Sequence, residues 1–296
     1  MLGFLPPIVR GLMASILVAV NTLFWALPLV LISLMRFVLP IAAWQRFCTR
    51  VAISMAEAWI SINSAWMYLT QPMEWEVTGL EELDKKHWYL VLANHQSWAD
   101  ILILQHVLNR RIPMLKFFLK KELIWVPVIG LCWWALDFPF MKRFSKAYLE
   151  KHPEKRGQDI ESTRRACEKF KQTPVAVFNF LEGTRFTPEK QARQNSSFQY
   201  LLNPKAGGLA FVLGAMGERM HSIIDITIAY PNRTQPNFFD FLCGRVNHVK
   251  VNIELLEIPL EFLGRNYSED ELFRKEFQQW VMDLWQRKDE TLDSLY

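Results

Sequence analysis

The residues best suited to do chemistry close the stretch Trp88 to Asp100, WYLVLANHQSWAD. Tyr89 to Ala93 read as a buried strand, Asn94 and His95 stand at its end, and Asp100 follows the histidine by five residues. From Ala99 onward, Ile101, Leu102, Leu104 and Leu108 take helical spacing, which puts Asp100 near a helix start. The intervening turn can fold the carboxylate back onto the imidazole. A carboxylate on one ring nitrogen fixes the tautomer and raises the basicity of the other, which makes a general base. The same spacing also fits a histidine bonded to a helix-capping aspartate with no chemical role. None of His87, His106, His152, His221 and His248 has an aspartate five residues on.

A second polar cluster, Glu182-Gly183-Thr184-Arg185, comes just after another strand candidate, Pro174 to Phe180. Arginine can grip a phosphate through two parallel hydrogen bonds, which lysine cannot. Glu182 could orient the Arg185 guanidinium or accept a substrate hydroxyl; a plain surface ion pair is the alternative. Ser97 reads as a turn-stabilising side chain rather than a nucleophile, and the chain has no GxSxG elbow.

Other elements must carry these groups. The chain has 296 residues, 51% of them hydrophobic, and a net charge of +4. Residues 1–70 hold four arginines against Glu57 alone, a balance of +3, so the remainder is nearly neutral. That is not the profile of a nucleic-acid binder. It is the profile of an apolar segment beside an anionic lipid surface. Cys48, Cys132, Cys167 and Cys243 show no metal-ligand or disulfide spacing, so no metal site is expected.

Gly11 to Met35 is free of charge and, as a helix, about 38 Å long, enough for a bilayer core of about 30 Å. Pro28 leaves a kinked span and a re-entrant hairpin both open. The arginines that follow put the rest of the chain on the cytoplasmic side. Residues 44–69 form an amphipathic helix, with Val51, Met55, Ala58, Trp59, Ile62 and Trp66 on its apolar face. It suits a membrane interface or packing against the following domain. Met73 to Val77 alternates as a half-buried strand, and Phe117 to Arg143 is apolar but broken by Pro127 and Gly130. Basic residues from Lys142 to Arg156 follow, a solvated face or a cradle for anions. Asp159 to Gln172 reads as a surface helix, and Ser222 to Tyr230 and Val246 to Ile258 as strands. Ser268 with Glu271 makes a capping box for a last helix whose apolar face is Leu272, Phe273, Phe277, Trp280, Val281 and Leu284. Alternating strands and helices point to one α/β domain over 71–296, with a membrane-attachment region over 1–70.

Three blocks occur in a recognisable order: Asn94-His95-x4-Asp100, then Lys120-Lys121-Glu122-Leu123 through Pro127, Gly130 and Arg143, then Phe180-Leu-Glu-Gly-Thr-Arg185. A fourth is Ile226 to Pro231, ITIAYP. Together they resemble the glycerolipid acyltransferase family typified by 1-acylglycerol-3-phosphate acyltransferase, with the bacterial YihG-like branch nearest in pattern. The resemblance implies a single mixed sheet wrapped by helices and an N-terminal helical membrane-attachment region. It implies transfer of a fatty acyl group from acyl-CoA or acyl carrier protein, as co-substrate, to a lysophospholipid hydroxyl, with no bound cofactor. His95 then matches the catalytic base and Asp100 the residue that orients it. Lys121, Arg143, Glu182, Gly183, Thr184 and Arg185 match positions that bind the acceptor. The implied place is a bacterial inner membrane, with membrane lipids as partners. The chain departs from many relatives at Asp137, where glycine is usual, and at Leu181 and Phe186, where proline and serine are common. The Glu-Gly-Thr-Arg-Phe-Thr form resembles the branch that reacylates lysophospholipids with larger head groups. A transacylase using a phospholipid donor, a hydrolase and a non-catalytic membrane scaffold are the alternative functions.

Overall fold

The computed structural model describes residues 3–141, 167–168, 170, 173–216, 219–220, 222–231, 236–265, 267 and 269–296. Two long helices come first, α1 (Pro7–Met35) and α2 (Ala42–Thr70). Pro7 starts α1 ahead of the charge-free run, because a first-turn proline gives up no helical hydrogen bond. Pro28 lies inside α1 without ending it. Among the described residues, α1 is the one helix long and apolar enough to cross a membrane. One face of α1, with Gly11, Ala14, Asn21, Leu29 and Ser33, is buried. The opposite side exposes Leu12, Ile16, Leu23, Phe24, Leu27 and Leu31.

The buried side of α2 is not the expected apolar face. Cys48, Ala52, Ala56, Ile60, Asn63, Trp66 and Met67 are buried, whereas Ile62 is exposed. Small residues let α1 and α2 approach, and Asn21 Nδ2 donates to Asn63 Oδ1 (2.9 Å) and the Trp59 carbonyl (3.0 Å). A buried polar pair and close packing, rather than hydropathy, set the rotation of this helix.

The main sheet holds β1 (Glu74–Thr78), β2 (Tyr89–Ala93), β3 (Leu115–Phe117), β6 (Ala176–Phe180), β7 (Ser222–Ala229) and β8 (His248–Glu257) in the order β1-β8-β7-β2-β6-β3. Only the β7–β8 pairing is antiparallel, so the sheet is mixed. A separate two-stranded ladder joins β4 (Leu119–Lys120) to β5 (Phe140–Met141). Between these run α3 (Ala99–Leu108), α4 (Ile129–Ala135), α5 (Pro188–Gln194), α6 (Ala206–Met216), α7 (Phe238–Leu242) and α8 (Glu271–Leu295). Strand β2 is buried throughout, as a central strand covered on both faces must be. Tyr89, Val91 and Ala93 share a core with Ala14, Trp66 and Ile103 of α1, α2 and α3. Leu90 and Leu92 share the other core with Leu209 and Leu213 of α6 and Phe277 and Trp285 of α8.

The helix pair is tied to this body at two ends. Near the start of α1, Gly11 packs so closely on α7 that an added Cβ would lie 2.4 Å from Cys243 Sγ. Near its end, Ser33 Oγ donates to the Ala135 carbonyl (2.9 Å) and Arg36 pairs with Asp137. Asp137 sits at φ +56, the left-handed region that suits glycine; here the carboxylate gains the Arg36 contact.

Helix α8 begins at Glu271, two residues later than a Ser268 cap would start it. Asp270 is the N-cap, its Oδ1 accepting from Phe273 N (2.9 Å), and Ser268 lies outside the described residues. Phe273, Phe277, Val281 and Leu284 are buried as the periodicity predicts, but Leu272 is exposed. The expected helix over 159–172 and the basic run from Lys142 fall almost wholly outside the described residues.

Candidate active site

Parallel register builds the site. Strands β2 and β6 lie side by side with Ala93 opposite Phe180, so Asn94-His95 and Leu181-Glu182 leave the sheet together. Strand β7, on the other side of β2, runs farther and ends beside them at Ala229. Loops at strand C-termini are where open α/β sheets place their chemistry.

Each residue of the His95 loop is pinned. Asn94 bonds reciprocally with the Ile228 backbone, Nδ2 to the carbonyl and Oδ1 from the amide, both at 2.9 Å. His95 N donates to Glu182 Oε1 (2.9 Å). The Gln96 side-chain oxygen accepts from the Tyr296 hydroxyl of α8 (2.8 Å). Ser97 Oγ donates to the Pro236 carbonyl (2.5 Å) and accepts from Ala99 N (3.1 Å), so its hydroxyl proton is engaged in the turn.

Asp100, fully buried at the start of α3, turns back onto this loop. Its Oδ2 lies 2.8 Å from His95 Nδ1 and accepts from the amides of Gln96 (2.8 Å) and Ser97 (2.9 Å). Oδ1 accepts from the Tyr230 hydroxyl. The carboxylate thus gathers four donors, and an acceptor facing Nδ1 makes Nδ1 the protonated nitrogen. Nε2 is then the basic atom. Phe180 stacks on the imidazole (3.8 Å between centroids, 12° between planes) and Trp98 meets it edge-on. The ring is therefore held on both its polar and its apolar sides.

His95 lines one cavity of about 750 Å³. The walls come from α1 (Val18, Thr22, Trp25, Ala26, Leu29), α2 (Met55, Trp59, Ile60), α3 and the 114–138 segment. Nearly all are apolar. The Val18–Leu29 wall is about 16 Å long as helix, so the space suits an extended hydrocarbon tail.

Glu182 does not pair with Arg185 and does not line the cavity. It is fully buried, with Oε1 taken by His95 N and Oε2 by Leu202 N (3.1 Å). Both expected roles, orienting the guanidinium and accepting a substrate hydroxyl, are displaced by these amides, whose buried N–H groups need an acceptor. Burial raises the Glu182 pKa to about 8 against the pull of the two amide bonds. A carboxyl group raised from its ordinary value binds its proton more tightly in the folded state. Its stabilising contribution is full below about pH 4.5 and is lost as pH rises through about 8. Thermal unfolding between pH 5 and 8 is expected to show stability falling with pH by about 3.5 kcal/mol from this group. Glu182→Gln is expected to be less stable overall and to lack that slope.

Gly183 closes the turn after β6 at φ +67, with its amide donating to the Phe180 carbonyl (2.9 Å). Thr184 Oγ1 and the Arg185 carbonyl both accept from Lys190 Nζ (2.9 and 2.7 Å). The Arg185 guanidinium lies 4.8 Å over the ring of Trp98, whose centroid is 6.4 Å from that of the His95 imidazole. Lys121 is exposed at the start of a 3-10 turn just beyond cavity-lining Leu119. Among the described residues no hydrogen bond or ion pair joins it to the His95 group. Arg143 lies outside the described residues. The sequence reading assigned no role to Tyr230 and Tyr296. The available signal for Tyr230 was an aromatic hydroxyl closing a mostly apolar strand, where burial obliges it to find a partner.

Residues 74–230, more than half of the chain, match the family model described as Acyltransferase. The human 1-acyl-sn-glycerol-3-phosphate acyltransferase gamma is 26% identical over 86% of this chain, and the chain spans 65% of that relative's length. Lysocardiolipin acyltransferase 1 of Gallus gallus is 23% identical over 91% of this chain and 67% of its own length. The crystal structure of the 1-acyl-sn-glycerophosphate (LPA) acyltransferase PlsC from Thermotoga maritima shares the fold, with a TM-score of 0.54 at 18% identity over 96% of this chain and 98% of that one.

Proposed function

Because the chain belongs to the acyltransferase family, we propose that it moves a fatty acyl group from an acyl thioester to the free hydroxyl of a lysophospholipid at a membrane. The observation that carries this reading is an aimed imidazole at the wall of a long apolar cavity. The acyl tail lies in the cavity with its thioester at His95. Nε2 takes the acceptor's hydroxyl proton as the oxygen attacks the thioester carbonyl. The carbon–sulfur bond then breaks, and the proton passes from the imidazolium to the departing thiolate. Asp100 holds the ring and stabilises its charged form. Arg185 takes the acceptor's phosphate, with the Gly183-Thr184 turn shaping the approach, and no enzyme nucleophile is needed.

The names of the relatives support a lysolipid acceptor. The exposed apolar side of α1 supports contact with lipid tails, and the arginines after it support a catalytic body on the cytoplasmic side of a bacterial inner membrane. The donor is acyl-CoA or acyl carrier protein.

The test uses purified protein in lipid vesicles, given lysophosphatidic acid, lysophosphatidylglycerol or lysocardiolipin with each donor. The expected result is acylated lipid formed with one free thiol per product. Product formed without any thioester would replace this reading by transacylation, and free fatty acid by hydrolysis. No conversion of any kind would favour the scaffold.

A further inference from the structure

We propose that Tyr230 is a positioning residue of this reaction: its hydroxyl, donating to Asp100 Oδ1, fixes the carboxylate that aims His95 and sets how strongly that carboxylate holds the charged ring. The proposal rests on the acyl-transfer reading above. The two oxygens of Asp100 are used differently. Oδ2 takes the imidazole and two amides of its own loop, all within five residues of Asp100. Oδ1 has Tyr230, brought from 130 residues away by the end of β7. Without that hydroxyl a fully buried carboxylate oxygen would lose its partner and the carboxylate could rotate about its bond to Cβ.

Tyr230 is itself fully buried and does not line the cavity, so it acts through Asp100 and not on substrate. A phenylalanine would fill the same space, and packing alone gives no reason for the hydroxyl. Burial holds the phenol protonated well above its ordinary range, which keeps it a donor. A donor on Oδ1 draws charge from the carboxylate and weakens its hold on the protonated imidazole. Removing the donor therefore tightens that hold.

Among the described residues, the other charged and titratable groups around the pair have hydrogen-bond, ion-pair or ring partners of their own. Glu182 sits on the His95 amide and Tyr296 on the Gln96 side chain. Lys288 of α8 pairs with Asp225 of β7 at 2.9 Å, Asp240 of α7 pairs with Arg245, and Arg185 lies over Trp98.

The experiment compares wild type, His95→Ala, Tyr230→Phe and 3-fluorotyrosine at position 230 in vesicles, reading kcat, KM and the pH dependence of kcat/KM. Tyr230→Phe is expected to lower kcat about ten- to a hundredfold, with both KM values within about threefold. Its acid limb should move to higher pH by roughly half a unit or more. Fluorotyrosine, a stronger donor, should move the limb the other way. A structural role alone would lower the active fraction and leave the limb in place, so an unmoved limb in both variants overturns the proposal. If Tyr230→Phe does not fold, the fluorotyrosine limb decides by the same criterion. Failure of wild type to transfer acyl groups would instead overturn the functional reading, and this proposal with it.

Discussion

His95→Ala is expected to lower kcat by about a thousandfold or more while leaving the KM for the thioester within a few-fold. General-base assistance contributes about 10² to 10⁴ in rate, and two neighbouring groups among the described residues are already committed. Glu182 is fully buried and spent on two amides, and the Ser97 hydroxyl is held by the Pro236 carbonyl. Donor binding is set by the cavity, whose apolar walls the substitution leaves in place. Steady-state thiol release, with melting temperature as the control for folding, separates lost chemistry from lost structure. Turnover near that of wild type in a folded variant would contradict the assignment.

The second large effect is a change in tail length. Ala26 lies on α1 between Thr22 and Leu29, and all three line the cavity. Ala26→Phe puts a ring across that path. If about four methylenes of a long tail can no longer be buried, the loss is about 3 kcal/mol at 0.8 kcal/mol each. This corresponds to a fall in kcat/KM of about a hundredfold for a sixteen-carbon thioester. An eight-carbon thioester, which does not reach the ring, should be turned over as before. A chain-length series with both proteins reads this directly. A uniform fall across all lengths would mean that the tail lies elsewhere.

Much of this site could be read from local pattern. The apolar runs at Tyr89–Ala93 and in β6 are short and β-rich, and His95, Asp100 and Arg185 follow from spacing at their ends. What could not be read is what comes from afar. Strand register puts Glu182 under the His95 amide and so removes it from the acceptor's reach. Tyr230 meets Asp100 only because β7 outruns its neighbour. The buried face of α2 follows Asn21, on another helix, and not its own hydropathy. The β4–β5 ladder has two residues per strand, too few for any period to show. Asp270 caps α8 where the more familiar serine–glutamate pattern drew the eye two residues earlier.

The central claim is that Nε2 of one oriented imidazole accepts the proton of the acceptor hydroxyl. It can be tested by placing Nε2-methylhistidine at position 95: the methyl group takes the place of the accepting lone pair on Nε2, and Nδ1 can donate to Asp100 only when the ring is a cation. With enzyme in excess over labelled thioester and lysolipid in vesicles, single-turnover transfer is expected to fall to the level of His95→Ala. Transfer at or near the wild-type rate would contradict the account.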